Sequence, residues 1–187
     1  VPVTMDENGE LQPVGPTRVT TGRESDDRLT PPEVWDAVDA MIGLNRYPVY
    51  DVVPYEESAR CWPGWFGVDA LNEQDWPQHS YCNPPFSQIK RFAAQCVDVA
   101  KCVPHHFRIA MLGPTDCTTE WARTLSNAGW HFNPSARRIA FLKPDGSRMG
   151  TPSFGVALWT NVRVYDPTGL FWTAQAPFDS YIRPKPG

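Results

Sequence analysis

The stretch His79-Ser80-Tyr81-Cys82-Asn83-Pro84-Pro85-Phe86-Ser87 changes character twice as it is read. His79 to Cys82 has the length and composition of a short strand. The two prolines that follow remove two backbone donors, fix two φ angles and push the residue ahead of them away from helix. What remains in the bend is carbonyl oxygen, the Asn83 amide and the Phe86 ring. Ser87 is placed to cap a helix in which Ile89, Phe92, Ala93, Cys96 and Ala100 keep the three-to-four spacing of an amphipathic face. Strand, stiff loop and helix in that order form the unit of an α/β sheet, in which ligands bind at the carboxyl ends of strands.

The flanking sequence extends the alternation. Upstream, Thr30-Pro31-Pro32 opens a helix with Val34, Val38, Met41 and Ile42 on one face and Gly43 as its stop. Tyr47-Pro48-Val49-Tyr50-Asp51-Val52-Val53 reads as a buried strand with an acid near its end. A Trp, Gly and Pro-rich stretch over 61–67 leads to Val68-Asp69-Ala70-Leu71 and Asp75-Trp76. Downstream, 107–112 is a second core strand, followed by a Gly-Pro turn and a helix from about Thr118 through Trp121 and Leu125 to Gly129. Two more strands are expected over 138–142 and 154–160, joined by Lys143-Pro144-Asp145-Gly146-Ser147-Arg148. The order predicts one α/β domain over 29–165, with a mixed, mostly parallel sheet, helices on both faces, and Asp51 and Asn83 at its ligand-binding end. Residues 1–28 show no apolar periodicity and read as a flexible leader; 166–187 read as an irregular tail.

Composition bounds the rest. A chain of 187 residues with 41% hydrophobic content suits a single globular domain. No apolar run approaches the roughly 20 residues needed to span a bilayer, and no signal-type segment is present, so no membrane partner and a cytoplasmic location are expected. The five cysteines form no CxxC pair, which argues for reduced thiols. Cys96, Cys102, His105 and His106 fit no familiar zinc spacing and Cys96 lies on the apolar helical face, so no metal is expected. The net charge of −4 rules out a surface that grips a phosphate backbone everywhere and leaves only a local patch. Charge is segregated: six acids and a single Arg60 lie between Asp51 and Ser80, whereas Arg137, Arg138, Lys143 and Arg148 face one Asp145. Such a split suits a cationic cofactor and an anionic polymer, although on charge alone ordinary solvated charge is the simpler reading.

The proline bend matches one chemical demand. An aromatic amine is a poor nucleophile because its lone pair is delocalised into the ring. Acceptors on both N–H bonds favour a pyramidal nitrogen whose lone pair is aimed at a methyl donor. The Asn83 Oδ1 and the Pro84 carbonyl are candidates for those acceptors, with Pro85 stiffening the bend. The Phe86 ring would stack on the base, a contact worth roughly 1–3 kcal/mol. A base inside a duplex cannot reach such a pocket and must be flipped out at a cost of a few kcal/mol. The alternative is that these residues form only a stiff turn, that Asp51, Asp69 and Asp75 cap turns, and that the basic residues are surface charges.

With those residues in hand, the chain resembles the small phage-type DNA N6-adenine methyltransferase (Dam) family. The likeness runs from Leu29 to about Thr160 through Thr30-Pro31-Pro32-Glu33-Val34-Trp35, Asp51, Ser58-Ala59-Arg60-Cys61, Asp69-Ala70-Leu71, Asp75-Trp76, Tyr81-Cys82-Asn83-Pro84-Pro85-Phe86-Ser87 and Pro114-Thr115-Asp116-Cys117-Thr118-Thr119-Glu120-Trp121. The resemblance implies a Rossmann-like methyltransferase domain that uses S-adenosylmethionine and acts on DNA. It places Thr30 and Pro31 beside the methionine end of the cofactor, Asp51 near its amino group, and Asp69 on its adenine amine. Asn83, Pro84, Pro85 and Phe86 then hold the target adenine, and Arg137, Arg138, Lys143 and Arg148 are the candidates for DNA contact. Two departures stand out. The usual glycine-rich cofactor loop is missing, and Val52-Val53-Pro54-Tyr55 replaces the family's small alanines, which brings the Tyr55 ring to the cofactor site. Transfer to adenine N6 is the expected activity; a cytosine N4 or RNA acceptor, or a non-catalytic binder on the same fold, are the alternatives.

Overall fold

The computed structural model describes residues 3–5, 11–13, 26–55, 59–65 and 68–173. Strands β1 (Val3–Met5) and β2 (Leu11–Pro13) form an antiparallel pair of their own. The main sheet contains β3 (Tyr50–Asp51), β4 (His79–Cys82), β5 (Arg108–Pro114), β6 (His131–Pro134) and β7 (Val156–Thr160), in the order β3-β4-β5-β7-β6. The pairs β3-β4 and β4-β5 are parallel, and β7 runs antiparallel to both β5 and β6. Among the described residues, β3 to β6 therefore all point the same way and deliver their carboxyl ends to one edge of the sheet.

Alternation along the strands assigns a helix to each face, because successive side chains point to opposite sides. Tyr81, Ala110, Leu112, Val156 and Leu158 pack with Val34, Ala37, Val38 and Met41 of α1 (Pro32–Met41). Cys82, Ile109, Met111, Ala157 and Trp159 pack with Phe92 and Cys96 of α2 (Ile89–Cys102) and with Trp121 and Leu125 of α3 (Glu120–Asn127). All four residues of β4 are buried, as a strand covered on both faces requires. Each fully buried Leu, Ile or Val contributes about 1.5–3 kcal/mol of transfer free energy, so the two layers hold the sheet edge firmly.

Several local expectations are corrected. The strand expected over 47–53 shortens to Tyr50–Asp51, because the Asp51 Oδ1 accepts from the Val53 amide at 2.9 Å and turns the chain away. Gly43 does end α1, but not by a left-handed conformation: Leu44 and Asn45 carry the positive φ, and a Cβ on Gly43 would meet the Tyr47 carbonyl at 2.6 Å. Ser87 is not the cap of α2. A turn of 3-10 helix (Phe86–Gln88) precedes that helix, and the Ser87 amide donates to the Asp26 Oδ1 at 3.3 Å. Gly113 and Pro114 belong to β5 rather than to a turn, and Trp121 fills the space a side chain on Gly113 would need.

The expected strand over 138–142 is instead an extended segment held by isolated bridges of Leu142 to Leu29 and to Arg148, while β6 arises where no strand was expected. Asp166 begins an ordered turn that places Leu170 and Phe171 in the core, so the expected tail is docked as far as it is described. Most of the expected leader, and 174–187, lie outside the described residues; 26–28 pack against the sheet edge that carries Asn83.

Candidate active site

A cleft of about 160 Å³ opens at the carboxyl edge of the sheet, and Thr30, Trp35, Asp51, Tyr55, Arg60 and Asn83 are among the residues lining it. Three segments far apart in sequence meet there: the approach to α1, the end of β3 and the bend after β4. Their meeting follows from the parallel register, in which Asp51 pairs with Tyr81, two residues before Asn83.

Asn83 is 5% exposed, and its amide is oriented by acceptors behind it. Nδ2 donates to the Arg28 carbonyl at 3.0 Å and to the Thr30 Oγ1 at 3.2 Å. A carbonyl can only accept, so the nitrogen must face Arg28, which fixes the flip of the amide. Both N–H bonds are thereby used, and the Oδ1 accepts no hydrogen bond among the described residues. The Thr30 Oγ1 lies 3.1 Å from the Tyr81 hydroxyl, and burial pushes that phenol well above its ordinary pKa, which keeps its proton in place. Pro84 and Pro85 are buried, and no backbone hydrogen bond among the described residues ends on the Pro84 carbonyl.

The opposite wall is charged and aromatic. Asp51 is oriented by the Val53 amide on its Oδ1. The Arg60 guanidinium makes two hydrogen bonds of 2.7 Å to Asp39 and lies 4.3 Å from the Trp35 ring centre. Trp35 in turn meets Tyr81 edge to face at 4.7 Å. Phe86 is half-buried against Phe154 and Phe141, at 5.8 and 6.4 Å between ring centres, and the Arg28 guanidinium lies 4.8 Å above it.

The remaining expected site residues separate from this group. Pro31 is the buried N-cap residue of α1, with its carbonyl on the Val34 amide at 3.0 Å. Asp69 caps its own turn, accepting from the Leu71 amide at 3.0 Å and from the Asn72 Nδ2 at 2.7 Å, and it is not among the residues that line the cleft. Arg137, Arg138 and Lys143 are exposed; Arg138 donates to the Pro152 carbonyl at 3.3 Å. Arg148 makes a two-pronged pair with Glu33 of α1 at 2.8 and 3.1 Å, and that hydrogen bonding holds the Glu33 carboxyl below its ordinary pKa.

The model of the DNA N-6-adenine-methyltransferase (Dam) family matches residues 18–158. The chain belongs to that family. No curated protein and no solved structure matches it. Membership in the Dam family implies a methyl donor and DNA as the acceptor. In this Dam-family chain no helix among the described residues is long and apolar enough to cross a membrane.

Reading the sequence missed four residues that shape the cleft of this Dam-family member: Arg28, Trp35, Arg60 and Tyr81. Trp35, Arg60 and Tyr81 all lie inside the segments that carry the family likeness, so their position in those segments was the available signal. Arg28 lies at the end of a stretch without periodicity, and nothing local marks it.

Proposed function

We propose that this chain methylates adenine N6 in DNA with S-adenosylmethionine as the donor, on a base flipped out of the duplex. One observation carries the reading: both donors of the Asn83 amide are consumed by Arg28 and Thr30, which leaves its Oδ1 as an acceptor on the cleft wall. An amino group presented to that oxygen donates one proton to it, and the Pro84 carbonyl is the candidate for the second. Two such bonds draw the nitrogen lone pair out of conjugation with the ring. The remaining contribution is positioning, which the buried prolines supply by holding both oxygens without backbone freedom.

The lining fits the cofactor by its chemistry. Asp51 suits an ammonium group, Trp35 and Tyr55 suit apolar and cationic surface, and Thr30 borders the same cleft. S-adenosylmethionine, when bound, supplies a methyl group on a positively charged sulfur. Asp51 and Thr30 are the residues proposed to hold it. Tyr55 stands on the wall of the cleft. Asp69 is proposed for the cofactor's adenine end only through the family order, since its carboxylate is engaged by its own turn. The parallel run of β3, β4 and β5, with helices on both faces, supports a Rossmann-like arrangement. Arg137, Arg138 and Lys143 are the proposed DNA contacts, with Arg148 fixing the hairpin that carries Lys143.

The test is incubation with methyl-labelled S-adenosylmethionine and unmethylated genomic DNA, followed by mass spectrometry of the nucleosides. N6-methyladenine is the expected product; N4-methylcytosine would move the acceptor assignment. Asn83→Ala is expected to abolish transfer while S-adenosylmethionine still raises the melting temperature. Retained turnover in that variant would remove Asn83 from the chemistry.

A further inference from the structure

We infer that Arg28 is a displaceable occupant of the base site: in the DNA-free chain its guanidinium covers the face of Phe86 that an extruded adenine takes, and base capture exchanges one for the other. The inference rests on the reading of Phe86 as the stacking ring. Its own support is geometric. The guanidinium carbon lies 4.8 Å from the centre of Phe86, 5.4 Å from Phe154 and 5.7 Å from Phe141, so three rings form a cage around one cation. A purine stacked on Phe86 needs that same volume, and the two occupants exclude each other. Arg28 lines the cleft that Asn83 also lines, so the residue that covers Phe86 borders the same open space as the proposed acceptor.

The chemistry makes the exchange reversible. A guanidinium over a ring and a base on a ring are both favourable planar contacts, and the base offers the larger stacked area. Asp26 is buried and receives the Ser87 amide, and its charge acts on Arg28, so a carboxylate next to the loop favours a cation there. Burial draws the Arg28 pKa down and Asp26 draws it up, consistent with a cation held in place at some desolvation cost. The Arg28 carbonyl holds the Asn83 amide through the backbone, so its side chain can leave while the Asn83 bond stays. In this arrangement the cation covers a face of the ring before DNA arrives, and a base must outcompete it to be held.

Two measurements on the full chain test the exchange. In nitrogen-15 spectra the Arg28 Nε–H signal, identified by its loss in Arg28→Met, is expected at a ring-shielded position. It should move to an unshielded one when a short duplex carrying the adenine that the chain methylates is added. With 2-aminopurine deoxyriboside as the probe, Arg28→Met is expected to bind about fivefold more tightly than the parent chain, since the competing cation is gone. An Arg28 signal that stays shielded beside a methylated duplex overturns the exchange and leaves the methyltransferase reading standing. Equal or weaker probe binding by Arg28→Met does the same. Absence of any adenine methylation by the parent chain overturns both.

Discussion

Thr30 holds Asn83 across 53 positions of sequence, through a 3.2 Å hydrogen bond from the asparagine Nδ2 to the threonine Oγ1. Thr30→Val keeps the branched shape and removes the acceptor, leaving a buried amide proton without its partner. An unmade bond of that kind costs about 1–3 kcal/mol, and a share of it appears as misorientation of the amide. A fall in kcat of roughly tenfold is expected, with a smaller change in the dissociation constant for S-adenosylmethionine. Steady-state kinetics beside calorimetric titration separates the two; equal losses in both would show that Thr30 serves the cofactor as much as it orients Asn83.

Asn83→Asp is isosteric but reverses the bond to Arg28. A carboxylate oxygen would then face a carbonyl oxygen at the present 3.0 Å separation. Two acceptors repel, so a loss of about 1–3 kcal/mol in urea unfolding is expected together with loss of methyl transfer at neutral pH. A variant as stable as the parent would mean that the amide is not held by that carbonyl.

The basic residues divide into two roles. Lys143 is exposed at the start of the hairpin turn, so Lys143→Ala is expected to weaken DNA binding, to reduce the slope of log affinity against log salt by about one, and to leave the melting temperature unchanged. Arg148→Ala removes the pair with Glu33 and is expected to lower the melting temperature as well. Binding titrations at several salt concentrations, alongside thermal melts, would reveal a single shared role if the two variants behave alike.

Gly113 is fixed by packing. A Cβ there would stand 2.8 Å from the Trp121 ring and 3.1 Å from Ile89. Because both neighbours lie in the dense layer under α2 and α3, Gly113→Ala is expected to cost about 1–3 kcal/mol by overpacking. Chemical denaturation gives the number directly, and a neutral substitution would show that α3 can shift to make room.

His79 supplies a pH dependence. It is buried in β4 and stacks on Tyr47 at 5.1 Å and 6°, and burial first, then Arg108 and His106, hold its imidazole below histidine's ordinary 6.5. The folded chain therefore binds fewer protons than the unfolded chain just below that value. Stability from this group is complete above about pH 6.5 and is lost as pH falls through the depressed folded value. His79→Phe keeps the stack and removes the titration, so its melting temperature is expected to fall less than the parent's on acidification from about pH 7.5 to 5. Parallel curves for the two proteins would assign the acid sensitivity elsewhere.

The elements that sequence reading found are α1, α2 and α3, whose core faces show a regular apolar spacing, β5 and β7, which read as apolar runs buried on both faces, and β4, which announces itself by the proline bend that ends it. The errors lie where a residue's reason is tertiary. Gly43 and Gly113 look like punctuation but answer to neighbours that only the folded chain brings close. β6, with Asn133 and Pro134, has little strand character, and is fixed by its register with β7 and by Asn133 donating to the Leu158 carbonyl at 2.9 Å. At the candidate site, Asp51 and Asn83 were legible because each stands at the end of a strand, and Thr30 through the family likeness. Arg28 was not, since its position depends on three rings from distant segments.

The two backbone hydrogen bonds between Leu29 and Leu142, at 2.9 and 3.1 Å, tie the basic hairpin to the residue lying between Arg28 and Thr30. If the hairpin holds DNA as proposed, anchorage of the polyanion and aim of the asparagine share one short mechanical linkage. A duplex that seats badly on the hairpin pulls on the strap that sets the acceptor, so selectivity among DNA sequences should register in turnover more sharply than in occupancy.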